Sequence, residues 1–166
     1  DEGAKCIAHG LKEQSSLIHL DLEDNEISAK GIKYIAEALK NHVSLKSINL
    51  KWNNICDDGV LYLTDALKNH QFLEEIDLSS NDIGEMGGKH ILEGLKNKTS
   101  FRSLLLDHNK IGDKGACSLA NLLQTLPSFK KMALNYNNIG HEGIRHIAKV
   151  LKNSNCMTHL YLAGNS

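Results

Sequence analysis

Much that would mark a chain as an enzyme, a membrane protein or a disulfide scaffold is missing. A single proline, Pro127, stands among 166 residues, with no low-complexity tract and no linker. No apolar run approaches the ~20 residues needed to cross a bilayer, so no membrane partner is expected. The formal net charge is −1. The four cysteines, Cys6, Cys56, Cys117 and Cys156, form no CxxC pair and no cysteine-rich flank, which predicts free thiols in a reducing, cytoplasmic setting. No P-loop, dinucleotide fingerprint or nucleophile motif occurs. The nine histidines offer no zinc-ligand spacing: His19 and His159 are five repeats apart, His42 and His70 fall in loops, and His141 and His146 do not share a helix face. No metal, cofactor, catalytic residue or small-molecule substrate is expected. No secretory leader is visible.

What is present is a framework that repeats every 28 residues from Leu17. Copies open at Leu17, Leu45, Leu73, Phe101, Phe129 and Met157, reading LIHLDLEDNEI, LKSINLKWNNI, LEEIDLSSNDI, FRSLLLDHNKI, FKKMALNYNNI and a shortened MTHLYLAGNS. The first half of each copy alternates. Leu20 and Leu22, Ile48 and Leu50, Ile76 and Leu78, Leu104 and Leu106, Met132 and Leu134, and Leu160 and Leu162 are apolar between mostly polar neighbours. Period two predicts a short strand with one buried face. The second half has helical spacing: Ile32, Ile35, Ala36 and Leu39, with Val60, Leu63, Thr64 and Leu67 as the next copy. Residues 1–16 are a partial copy whose helical stripe is Ala4, Ile7, Ala8 and Leu11. Long helical returns require parallel strands. Strands stack about 4.8 Å apart and helices need about 8–10 Å, so the stack bends, strands inside and helices outside.

Two residue types recur with the framework. Asn25, Asn53, Asn81, Asn109, Asn137 and Asn165 carry amides that both donate and accept, and are expected to form a ladder at the strand exits. Gly3, Gly31, Gly59, Gly87, Gly115 and Gly143 are expected where the helix start packs tightly or needs an unusual backbone angle.

The L-x-x-L-x-L-x-x-N-x-I pattern at this period resembles the leucine-rich repeat, and the helical second half resembles its ribonuclease-inhibitor-like class. The class also supplies sensor domains of NOD-like receptors and the body of the Ran GTPase-activating protein. The resemblance implies an α/β solenoid in a horseshoe arc, one domain over residues 1–166, that works by binding and is not an enzyme. Solenoids need polar terminal caps. This chain enters mid-repeat and stops on a strand, so a fragment of a longer protein is expected.

The positions between the inward leucines vary while the framework does not, as a recognition surface requires. They are acidic in the first half, with Asp21, Glu23, Asp24, Glu75, Asp77 and Asp107 against Lys51 and Lys131, whereas the helices are rich in lysine. An acidic concave face steers a basic protein partner and repels nucleic-acid phosphate; solvated charges that merely keep the sheet soluble are the alternative. Trp52, the only tryptophan, and Tyr136 share a strand-end position three repeats apart, with His108 between and Leu105 and Tyr161 nearby. Exposed aromatics are typical interface anchors; a local staple is the other role open to Trp52. Asp107–His108 is the one tempting acid–base pair, and reads better as a binding contact.

The expected function is a scaffold that binds a basic protein partner on its concave face, through Asp21, Glu23, Lys51, Trp52, Glu75, Asp77, Leu105, Asp107, His108, Tyr136 and Tyr161. The alternative readings are a regulator of a partner enzyme in trans, of GTPase-activating type, the sensor segment of a NOD-like receptor, or a secreted bacterial effector acting in the host cytosol.

Overall fold

In the computed structural model, which describes residues 1–13 and 15–166, the apolar periodicity folds as its spacing dictates. The strands are β1 (His19–Asp21), β2 (Ser47–Asn49), β3 (Glu75–Asp77), β4 (Ser103–Leu105), β5 (Lys131–Ala133) and β6 (His159–Tyr161). They form one parallel sheet in chain order, and each residue pairs with its equivalent in the next repeat. Between them run α1 (Glu2–Lys12), α2 (Ala29–Leu39), α3 (Cys56–Ala66), α4 (Glu85–Leu95), α5 (Gly112–Ala120), α6 (Leu122–Thr125) and α7 (His141–Leu151). Each long helix packs on its neighbours in the series, and strands pair only with strands. The result is a leucine-rich-repeat arc with one continuous core between sheet and helices, in which the inward residues of the middle repeats, such as Ile48, Leu50, Ile76 and Leu104, are buried. Phe101 and Phe129 take the place of leucine and stack at 6.0 Å between ring centres.

The asparagines form the expected ladder. The Asn81 amide nitrogen donates to the Leu50, Leu78 and Ser79 carbonyls at 2.8, 3.2 and 3.0 Å, and its oxygen accepts from the Ile55 N–H. Asn53, Asn109, Asn137 and Asn165 repeat the scheme. Asn25, in the first repeat whose strand is the edge of the sheet, is exposed, and among the described residues its amide nitrogen donates only to the Glu23 carbonyl. Of the recurring glycines, Gly31, Gly59, Gly87, Gly115 and Gly143 serve close packing, a Cβ on Gly59 lying 2.5 Å from Ile55 Cγ2 and 2.8 Å from Ile32 Cγ2, while Gly3 faces open space.

A second ladder joins helix ends. His42 and His70, read from the sequence as loop residues, are buried. Their Nε2 atoms lie 2.8 and 2.9 Å from carbonyls in the last turns of the preceding helices, at Leu11 and Leu39. Lys98 holds the same position one repeat on, is also buried, and donates to the carbonyls of Leu67, Lys68 and His70. A cation at a helix C-terminus satisfies orphan carbonyls and meets the negative end of the dipole.

The turns into the helices alternate. Ser28, Gly84 and Gly140 are extended and give their N–H groups to the carboxylates of Asp1, Asp57 and Asp113 at 3.0, 2.6 and 2.8 Å. The intervening equivalents, Cys56 and Gly112, are left-handed at φ +55° and +60° and give theirs to the carbonyls of Asn81 and Asn137. The true structural period is therefore two repeats.

Replacing Asn81 by alanine strands several buried backbone groups at about 1–3 kcal/mol each. We expect Asn81→Ala to lower the urea midpoint by the equivalent of about 3 kcal/mol and Asn25→Ala by under about 0.5 kcal/mol. Equal losses from both would refute the ladder. Burial pulls the Lys98 ammonium from 10.5 down to about 8. The unfolded chain thus keeps a proton that the folded one has lost between pH 8 and 10.5, and stability should rise with pH through that window. Burial likewise lowers His70 below 6.5, so stability should fall as pH drops below that value. Subtracting the urea-derived stability profile of Lys98→Leu from that of the parent should isolate the alkaline rise.

Candidate functional site

The sheet sets out the concave face as two rows. Its register aligns His19, Ser47, Glu75, Ser103, Lys131 and His159 in one, and Asp21, Asn49, Asp77, Leu105, Ala133 and Tyr161 in the other. The second row is polar through β3 and apolar from β4 onward. Beyond each strand the chain turns left-handed at one repeat position: Asp24 (+56°), Trp52 (+53°), Ser80 (+55°), His108 (+55°) and Tyr136 (+54°), with glycine only at Gly164 (+67°). The bend is a framework need, because it points the N–H at the next repeat, as from Trp52 to the Ser79 carbonyl at 2.9 Å. The residue type is not: L residues there cost about 1–2 kcal/mol each. Yet Trp52 and Tyr136 are 54% and 53% exposed. Bulky aromatics that are both strained and solvent-facing weaken the fold, which is a feature of functional positions.

The rings are held in place. His108 stacks on Tyr136 at 4.5 Å and 12°. Lys51 Nζ stands 4.6 Å from the Trp52 ring centre and 3.2 Å from Glu23. Tyr136 and Trp52 are thus two anchors, the first joined to His108 and the second to the Lys51–Glu23 pair. Tyr161 lines the groove and is 41% exposed. Asp107 and His108 do not form an acid–base pair, since Asp107 turns to the Asn135 N–H and His108 to Tyr136.

The carboxylates have structural duties. The N–H two residues after each strand pair needs an acceptor. Asp21, Asn49 and Asp77 supply it within their own repeats, to Glu23, Lys51 and Ser79. In the two repeats after Leu105, the acceptor comes from the repeat before: Asp107 to the Asn135 N–H at 2.8 Å and Asn135 to the Ala163 N–H at 2.7 Å. Burial raises the Asp77 carboxyl, while the Asn49 amide and Lys51 lower that of Glu23. Glu75 is exposed.

The contrast between faces is weaker than lysine positions suggest. Lys40, Lys68, Lys96 and Arg145 on the helices each pair with an acid three residues earlier, at Glu37, Asp65, Glu93 and Glu142. Trp52, Asp77, Leu105, Asp107, His108, Lys51 and Tyr161 come together around one open groove of about 690 Å³. Asp21 and Glu23 lie outside it toward β1, and Glu75 lines a separate hollow near the strand starts with His19 and Ser103. Sequence reasoning left out Ser79, Ser80, Lys131, Ala133 and Asn135, which complete the groove lining. Their repeat positions, shared with residues already chosen, were the available signal. Among the described residues no group of three or more His, Cys, Asp or Glu side chains is placed to hold a metal ion, and all four thiols are free.

The Leucine Rich repeat family matches residues 13–36, 41–63, 69–92 and 97–120, more than half of the chain. The chain belongs to that family. Among solved structures it resembles the tropomodulin C-terminal domain of Caenorhabditis elegans, with a TM-score of 0.72 at 14% identity over 90% of this chain and 91% of that one. It also resembles the structure titled leiomodin-1 actin-binding site 2, with a TM-score of 0.66 at 17% identity over 87% of this chain and 85% of that one. No curated protein matches the sequence.

Proposed function

We propose that the chain is a non-catalytic protein-binding scaffold whose concave face docks a basic surface of a partner protein. The observation that carries the reading is the pair of exposed aromatic anchors, Trp52 and Tyr136 with His108, on a left-handed backbone that glycine suits better. The acids Asp21, Glu75 and Asp77 set the sign of the partner, steering a cationic surface and disfavouring nucleic acid. The leiomodin-1 structure, an actin-binding site by its title, is a protein-binding arc of this shape. A reducing, cytoplasmic setting accords with four free thiols. No membrane, cofactor or small-molecule substrate enters the reading.

The test is a titration of an isolated partner protein at two salt concentrations with folded variants. Trp52→Ala should cost about 2 kcal/mol of affinity or more, as a hot spot does. Glu75→Lys, which removes no hydrogen bond of the framework, should slow association and flatten its salt dependence. Lys30→Glu and Lys89→Glu, on the helical outside, should change little. Loss of binding in the helix variants with normal binding by Trp52→Ala and Glu75→Lys would put the interface on the convex side.

A further inference from the structure

We infer that the groove across β3, β4 and β5 is a clamp for an extended protein segment in which lysine or arginine is followed, two residues on, by a large apolar side chain. This deepens the docking reading and rests on it. Three features converge. The first is a spare donor. In five repeats the N–H after the strand has its side-chain acceptor, at Glu23, Lys51, Ser79, Asn135 and Ala163. Repeat four is where the acceptor changes hands. Leu105 brings no oxygen, and Ser79, at the position from which Asp107 and Asn135 cap the repeats after theirs, makes no bond to the Asp107 N–H. Among the described residues nothing accepts from the Asp107 N–H. An amide left so is matched by water or by a ligand carbonyl, and a main-chain carbonyl of the segment fits it.

The second feature is charge. Asp77 and Asp107 line the groove on either side of that donor, and each commits one carboxylate oxygen to the backbone. Among the described residues neither forms an ion pair. Lys51 is drawn off to Glu23 and Trp52, and Lys131 stands at the strand-start side of the groove, in register with Ser103. Asp77 is half-buried and partly desolvated, so an incoming cation gains more there than at an open surface. The third feature is the apolar row of Leu105, Ala133 and Tyr161, with Trp52 as a wall. Asp77 and Leu105 are direct partners on adjacent strands, about 4.8 Å apart, and Ala133 follows at the same step. An extended segment crossing the strands puts alternate side chains on one face about 6.6 Å apart. That spacing seats a cation between Asp77 and Asp107 and the next inward side chain over Leu105 and Ala133.

The test uses the whole chain, isotope-labelled, and an acetylated hexapeptide with arginine at its second position and leucine at its fourth. Saturable binding is expected, with the Asp107 amide resonance shifting most. Affinity should fall about tenfold or more with glutamate for arginine or serine for leucine, as loss of a charge-assisted contact implies. Asp77→Asn keeps the acceptor for Ser79 and removes the charge, and should lose a similar factor. Leu105→Asn restores to Asp107 the cap that Asn49 gives Lys51, and should abolish binding while thermal melts show the fold intact. The clamp is overturned if the glutamate peptide binds as well as the arginine peptide, if the shifts map to the helices, if Asp77→Asn binds like the parent, or if no peptide binds at millimolar concentration. A partner protein that still depends on Trp52 in that case leaves the docking reading standing, and one indifferent to Trp52 removes both.

Discussion

The asparagine at each strand exit is the contact on which the rest depends. A strand of three residues ends in a turn that exposes carbonyls and N–H groups on both sides, in a region the core packing keeps dry. One amide answers several of them, reaching both its own turn and the carbonyl 31 residues earlier, as Asn53 does at Leu22 and Asn109 at Leu78. Each turn is therefore completed by its neighbour. Stability then grows as a sum over interfaces between repeats, and the turn is held by side chains that point inward rather than by the strand-start row of the face.

Beside this ladder run two others. His42, His70 and Lys98 close the C-terminal ends of successive helices from one repeat over. Asp1, Asp57 and Asp113 close alternate helix entries in the same way. All three ladders place a polar side chain from one repeat on the backbone of an adjacent one, the asparagines and the His42–His70–Lys98 series reaching back and the aspartates forward. The helices thus stack by polar clasps at both ends as well as by the apolar stripe between them, and burial of two of those clasps, Lys98 and His70, ties stability to pH.

The strands, the helices, the asparagine ladder and the arc were legible because each follows from apolar periodicity or from a residue recurring without exception. Harder to see was the two-repeat alternation. It turns on one side chain, aspartate at 1, 57 and 113 against Ala29, Glu85 and His141, while the apolar pattern keeps the shorter period. Lys98 could not be read as core, since lysine is rarely buried without partners and its partners are carbonyls, which sequence does not display. The excess of lysine on the helices overstated the charge contrast because Glu37 and Lys40, and their equivalents, pair along the helix. At the concave face the repeat register alone gives the positions of Trp52, Tyr136 and the aspartates along and just beyond the strands. Their second roles were not legible: Asp21 and Asp77 as caps, and His108 as the partner of the Tyr136 ring rather than of Asp107.

Those second roles limit how a surface of this kind can diversify. A residue in the central row of the sheet either supplies an oxygen to the N–H two positions on or leaves that task to another side chain. An apolar floor therefore leaves that N–H capped only in repeats whose predecessor carries an amide or carboxylate beyond its strand, as Asp107 and Asn135 do. The first apolar repeat after a polar run has no such predecessor unless one is specially provided, and here Ser79 does not provide it. The boundary between polar and apolar halves consequently carries an open backbone donor between carboxylates and leucine. The chemistry best suited to recognising a mixed basic and apolar segment thus arises where two ways of ending a strand meet.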